Sequence, residues 1–299
     1  MSNVPQIPGV TWFQPRGFAS VCRTLKKFLE MHGFKVHWGA WLDVIKDGKL
    51  WCDLQVGHIY HHRPPNRGAK YQILYAVVEG RPKPFCKEWL KKYDYVLAQS
   101  KFVKQMLEYI DVHAEVMYVG IDTDFFKPMN VPKIYDFVAV GIWESGWDDR
   151  KFMQDVLKVT FPFSTYVHTR ASTDYENLPL IYNMGRVYVS LSGCEGFNIP
   201  VVEANACGLP VIYNDAPATN EHVYGIGVKP KEVKEFECGV PFMLHVPDLE
   251  KMRKVAHDFI IRILKNPQEY ERMSREARQF ALQFDYRKTY RILLEILTK

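Results

Sequence analysis

Two glutamates eight residues apart hold the most chemistry in this chain, Glu195 and Glu203 within SLSGCEGFNIPVVEANACGLPVI. The apolar run Val187 to Leu191 reads as a strand, so Ser192 to Asn198 form a loop at the carboxyl edge of a sheet, where open α/β sheets bind ligands. Pro200 suits the first position of a helix and Gly208 its end, which predicts a short helix over 199–207. The amides of Gly196, Phe197 and Asn198 and the helix start then face the cleft with a positive dipole, a setting for phosphate or sugar hydroxyls. Two carboxylates can bracket such a ligand. Taken singly, Glu195 also reads as a cap and Glu203 as a solvated helix residue.

Arg150 and Lys151 open another predicted helix, either as an exposed helix start or, since cations there work against the dipole, with an anion held between them. Asp122-Thr-Asp124 has the spacing of a metal loop but reads better as a turn and cap. His58, His61 and His62 lack a second ligand cluster, so metal binding is not expected of them.

The elements that must position these residues restart twice. Val10 to Phe13, a Pro15/Gly17 turn, the helical stripe Val21, Cys22, Leu25, Phe28, Leu29 and a strand over 34–38 make a β–turn–α–β unit of a parallel sheet. Asp94 to Ala98, the cap Ser100, the stripe Val103, Met106, Leu107, Ile110 and Val116 to Val119 make another. The segment Lys127 to Lys133, with two prolines and no periodicity, predicts a linker. Beyond it, strands are expected at 137–140, 164–168, 187–191 and 211–213. Helices are expected at Met252 to Leu264, from Asn266-Pro267 onward, and over Tyr290 to Leu297.

These pieces, in this order, resemble a known family. E-G-F-N-I-P-V-V-E-A-N-A-C-G-L-P-V-I closely resembles the E-x7-E signature of retaining glycosyltransferases with the GT-B fold, especially glycosyltransferase family 4. Ser100 to Lys104 leading to Tyr118-Val-Gly-Ile-Asp-Thr-Asp-Phe-Phe-Lys-Pro128 is similar to the segment that closes the family's first domain. Val140-Gly141 with Asp149-Arg150-Lys151 is similar to its diphosphate element, and Pro15-Arg16-Gly17 to its glycine loop.

The resemblance implies two Rossmann-like doubly wound parallel-sheet domains facing across a cleft. Residues 1–131 with 283–299 would be the acceptor side, the last helix crossing back to it, and 132–282 would bind the donor. It implies a nucleotide diphosphate sugar as donor and no cofactor or metal. Glu203 would hold the ribose hydroxyls, and Glu195 a donor-sugar hydroxyl beside the amides of Gly196, Phe197, Asn198 and Ile199. Arg150 and Lys151 would neutralise the leaving diphosphate, Gly17 would belong to the donor site, and the base would lie near His168 and Thr169. Asn198 stands where the family commonly has glycine. Glu79 stands where relatives place a histidine, as a charge-stabilising or acceptor-side group.

Composition limits the alternatives. Over 299 residues, 47% hydrophobic and 24% charged content excludes wholesale disorder and collagen-like repetition. No apolar run reaches the roughly 18 residues of a membrane span and the N-terminus lacks a signal-peptide layout, so the expected location is cytoplasmic. The six scattered cysteines predict free thiols. The charge is lopsided: residues 1–130 carry 18 Lys and Arg against 12 Asp and Glu, the remainder 21 against 22. An anionic acceptor, or peripheral contact with the inner face of a membrane through the first half, fits that imbalance; so does a plain solvated surface. The acceptor class, whether glycan, lipid, protein or nucleic acid, stays open. An epimerase or phosphorylase of nucleotide sugars on the same fold, or a non-catalytic nucleotide-sugar or nucleic-acid binding module, are the competing readings.

Overall fold

Two sheets are built one after the other along the chain, in a computed structural model that describes residues 16–38, 42–60, 68–141, 148–169, 175–237 and 241–299. The first has the order β1 (Lys35–Trp38), β2 (Leu42–Lys46), β3 (Lys49–His58), β4 (Tyr71–Val77), β5 (Tyr95–Ala98), β6 (Glu115–Val116). Strands β3 to β6 are parallel, whereas β1, β2 and β3 pair antiparallel. The strand after the first helix is therefore not part of a parallel β–α–β unit. Only three residues separate it from β2, too few for the crossover that parallel pairing needs. Asp47 and Gly48, both at positive φ (50° and 74°), make the two-residue turn from β2 to β3. The expected strand Val10 to Phe13 and Pro15 lie outside the described residues.

The second sheet is all parallel, with the order β11 (Gly225–Val228), β10 (Val211–Asn214), β9 (Gly185–Ser190), β7 (Tyr135–Gly141), β8 (Thr165–Thr169). The chain runs from β7 outward to β8, then back past β7 to β9. The strand order thus reverses between β7 and β9, and a crevice opens there at the strands' carboxyl ends. A hairpin the sequence reading passed over, β12 (Glu232–Glu237) with β13 (Pro241–Val246), folds against both halves. Met243 donates its backbone N–H to Glu79 and His245 to Gly193.

Helices cover the sheets as their apolar stripes require. In α1 (Arg16–Met31) the stripe Val21, Cys22, Leu25, Phe28 and Leu29 is buried, and Gly33 follows at φ 83°, a left-handed stop. The short α2 (Cys86–Leu90) buries only its two ends. Ser100 caps α3 (Lys101–Glu108) by accepting from Val103 N–H. In the second half α4 (Val156–Thr160), α5 (Leu178–Met184) and α6 (Ile199–Ala206) precede the long pair α7 (Leu249–Lys265) and α8 (Pro267–Ala281). The last helices, α9 (Tyr286–Thr289) and α10 (Arg291–Leu297), return to the first sheet. There Leu297 accepts from the Trp51 indole at 2.9 Å and the Tyr290 hydroxyl meets Thr24 at 3.0 Å. Tyr290 also packs edge-on against Tyr75 of β4. The five cysteines among the described residues are buried and free.

Candidate active site

The carboxyl ends of both sheets open onto one cleft. The second sheet contributes Val140 and Gly141 from β7 and Ser190 to Ser192 after β9, so the cleft lies at the reversal point of the strand order. The first sheet contributes Val77 at the end of β4, Glu79 just after it, and Gln99 after β5. Glu195, Gly196, Phe197, Asn198, Ile199 and Pro200 form the wall that leads into α6.

Sequence explains this wall locally. Asn198 takes a left-handed conformation (φ 65°, ψ 62°), which asparagine tolerates better than most residues, and ends the loop just before the helix. Its carboxamide is turned inward and donates to Ser190 and Thr219 hydroxyls, each at 3.1 Å, so it does not cap α6. Gly196 has no room for a side chain: a Cβ there would stand 2.7 Å from Val77 Cγ1. The loop is thereby pressed against the end of β4.

Charges gather where the wall meets the first sheet. Arg150 Nη1 lies 3.0 Å from Glu79 and 3.3 Å from Glu195, and donates to the Cys194 carbonyl at 2.6 Å. The Lys151 ammonium pairs with Glu195, which also accepts from Ser192 Oγ at 2.7 Å. Burial opposes ionisation of Glu195, but Lys151, Arg150 and the hydrogen bonds from Lys151 and Ser192 together hold its carboxyl at about 2. Burial pulls the Lys151 ammonium down from its ordinary value, against the attraction of Glu195. The Glu79 carbonyl is fixed by Cys194 Sγ at 2.6 Å and by Met243 N–H. The anion between the two cations is thus the protein's own Glu195.

Not every expected residue meets here. Glu195, Arg150, Lys151, Glu79, Gly196, Phe197, Asn198 and Ile199 all line the cleft. Glu203 is not among the lining residues: it turns toward α5, fully buried, and accepts the Tyr182 hydroxyl at 2.7 Å. His168 and Thr169 end β8 beside the lining residues Val140 and Gly141, and His168 does not line the cleft. Gly17 falls in the first turn of α1 rather than in a loop. Asp122 is a turn: its carboxylate accepts from Asp124 and Phe125 N–H, each at 3.2 Å, and from Lys27. His58 stacks on Tyr60; His61 and His62 lie outside the described residues.

Two side chains of the site were missed. Gln99 lines the cleft, 3% exposed, with its Nε2 lacking a hydrogen-bond partner among the described residues. Its place directly after a strand and before a helix cap is the signal that singled out Glu195. His222 lies fully buried behind the wall, stacked on Phe197 with ring centroids 3.8 Å apart. Burial pushes its imidazole down to about 3.

Comparison with known proteins agrees with this architecture. Residues 164–280 match the family described as Glycosyl transferases group 1. A putative glycosyltransferase of the Sulfolobus islandicus filamentous virus is 26% identical over 66% of this chain and 62% of its own length. A glycosyltransferase of Rickettsia africae superimposes with a TM-score of 0.59 at 15% identity, over 99% of this chain and 84% of that one. The Anabaena protein HepE, solved with UDP and glucose, superimposes with a TM-score of 0.55 at 14% identity, over 76% and 71% of the two chains. The chain spans less than two thirds of the length of the curated relatives it matches. Residues 164–280 thus match the Glycosyl transferases group 1 family, on a chain whose fold is that of GT-B glycosyltransferases.

Proposed function

We propose that this protein is a glycosyltransferase, retaining and metal-independent, that moves a sugar from a nucleotide diphosphate sugar to a hydroxyl acceptor. The observation that carries the reading is the cluster of Arg150, Lys151 and ionised Glu195 in the wall of the group 1 domain, at the reversal point of its parallel sheet. Residues 132–282 hold the donor, and residues 1–131 with 283–299 present the acceptor. The likeness to HepE, solved with UDP and glucose, supports a nucleotide-sugar donor.

The chemistry follows from charge. As the glycosidic bond breaks, negative charge grows on the departing diphosphate, and preorganised cations stabilise it most at that moment. Arg150 and Lys151 are those cations, aided by the backbone N–H groups of Phe197, Asn198 and Ile199 at the start of α6. Glu195, fixed by Lys151 and Ser192, accepts a hydroxyl of the donor sugar. Glu79 orients Arg150 from the acceptor side. Glu203 reaches the ribose only if the seam between α5 and α6, closed by Tyr182, opens; the base lies near His168 and Thr169, and Gly17 belongs to the donor site.

A thermal-shift screen with UDP-, GDP-, ADP- and dTDP-sugars tests this, because a bound donor stabilises in proportion to its affinity. One donor class should raise the melting temperature, and Arg150→Ala and Glu195→Ala should abolish the shift. Free nucleotide diphosphate should appear with an acceptor and persist under a chelator. Intact nucleotide carrying an altered sugar would assign an epimerase instead.

A further inference from the structure

The first half displays a second feature that the cleft does not use. Phe85, the N-cap of α2, and Trp89, one helical turn on, are 57% and 39% exposed, while Cys86 and Leu90 on the opposite face are buried. Tyr109, just after α3, is 61% exposed. Residues 81–92 carry Arg81, Lys83, Lys87, Lys91 and Lys92 against the single carboxylate of Glu88, with Lys91 paired to Glu88 at 2.9 Å and Arg81 to Glu235 at 3.8 Å. Two of the rings carry a cation: Lys92 Nζ lies 3.9 Å from the Trp89 centroid, and the Arg81 guanidinium 5.6 Å from that of Tyr109. Lys87 bridges to Asp111 at 2.5 Å and ties α2 to the turn that follows Tyr109.

We propose that this face docks onto an anionic lipid bilayer. An exposed aromatic ring under a cation matches the bilayer interface from both sides. The ring sits at the boundary of headgroups and acyl chains, while the ammonium or guanidinium reaches lipid phosphate. A soluble polyanion would need the cations but leave three apolar rings in water, and an apolar protein partner would need the rings but bury the cations beside them. The bilayer uses both. It also gives the basic excess of residues 1–130 a location.

The surface is joined to the cleft without slack. Glu79 lines the cleft and Arg81 begins the patch two residues later. Between them Gly80 is clamped, for a Cβ there would stand 2.5 Å from the Pro241 carbonyl and 2.7 Å from Phe242 Cα. A bilayer under Phe85 and Trp89 therefore lies beside the acceptor wall. Docking itself does not depend on sugar transfer, so the two proposals fail separately.

Co-sedimentation of the full chain with unilamellar vesicles tests the surface. Vesicles of phosphatidylcholine with roughly one third phosphatidylglycerol should bind the protein at low salt. Pure phosphatidylcholine should bind it about tenfold or more weakly, as should anionic vesicles at about 0.5 M NaCl. Phe85→Ser with Trp89→Ser, and separately Tyr109→Ser with Lys92→Glu, should each weaken binding to anionic vesicles about tenfold or more. Thermal unfolding of the variants checks that the fold is kept. Absence of binding to anionic vesicles, or equal binding by the variants, overturns the proposal. Retention on heparin without vesicle binding overturns it too, assigning the cations to a soluble polyanion.

Discussion

The guanidinium of Arg150 stands 3.0 Å from the carboxylate of Glu79, an ion pair that joins the loop of the second sheet to the end of β4 in the first. Arg150 is shared with Glu195, and Lys151 also serves Glu195, so two cations face two carboxylates. The cluster is near neutral before any ligand enters. A diphosphate must then compete with Glu79 and Glu195 for the same cations.

This sets the direction of one substitution against intuition. Glu79→Gln removes a negative charge beside the proposed phosphate site and keeps the side chain's shape. The variant should bind the nucleotide diphosphate product more tightly, by about tenfold, since a like charge a few ångströms away is worth a kilocalorie or more even with strong screening. Turnover should fall, because product leaves more slowly and Arg150 loses its orienting partner. Calorimetric titration with UDP and GDP reads the first effect. Weaker binding by the variant would mean that Glu79 contacts the ligand favourably.

Glu221 fastens the halves at a second point. Its carboxylate accepts the backbone N–H groups of Lys101 at 2.8 Å and Phe102 at 2.7 Å, at the start of α3, and the Tyr118 hydroxyl at 3.5 Å. Burial, reinforced by the charge of Glu221, pushes the Tyr118 phenol up to about 12. A charged acceptor on two helix-terminal N–H groups is worth about 1–3 kcal/mol. Glu221→Ala should lower unfolding stability by about that amount in urea titrations. Glu221→Gln, which keeps one acceptor oxygen, should lose less. Equal stability of all three proteins would show that the two halves hold together without this contact.

Gln99 presents the opposite case, a buried donor without a partner among the described residues. An unmade hydrogen bond of this kind costs about 1–3 kcal/mol, so Gln99→Leu, nearly equal in volume, should stabilise the free protein by about 1 kcal/mol. The same variant should reduce transfer to a hydroxyl acceptor while leaving donor-induced stabilisation intact. Scanning calorimetry with and without nucleotide sugar separates the two effects. A lower melting temperature for the leucine variant would show that the amide serves the fold.

How legible all this was differs by element. The stripe of α1, the Ser100 cap, four of the five parallel strands of the second sheet and the loop-to-α6 transition follow from local pattern, because apolar spacing and Pro200/Gly208 punctuation act within a few residues; β11, with two glycines in four residues, carries no such signal. The Asp47-Gly48 hairpin signal is equally local but went unread, and the expected parallel unit needs longer connections than this segment has. The hairpin β12–β13 carries mixed polarity, so no alternation announced it; its place comes from pairing with Glu79 and Gly193, far away in sequence. Glu203 shows the limit most clearly. Spacing placed it one turn into α6, but only the packing of α5 against that helix decides that it faces Tyr182.

His222 supplies a pH signature. It is fully buried, stacked on Phe197 and edge-on to Phe284, and burial pushes its imidazole down to about 3, against a weaker upward pull from Glu195. An unfolded chain has the ordinary histidine value near 6.5. Between these values the unfolded state binds a proton that the folded state refuses, so stability falls as pH drops below about 6.5. Glu195 acts lower: its folded value of about 2 lies under the unfolded 4.5, so its contribution is present above 4.5 and lost only as pH falls toward 2. The window from 6.5 to 5 therefore reports the histidine, with an expected loss of about 2 kcal/mol at 1.36 kcal/mol per unit. His222→Phe keeps the stack and cannot titrate. Urea midpoints at pH 7.5 and 5.0 should separate for the natural protein and draw together for the variant; equal acid sensitivity in both would place the titrating group elsewhere.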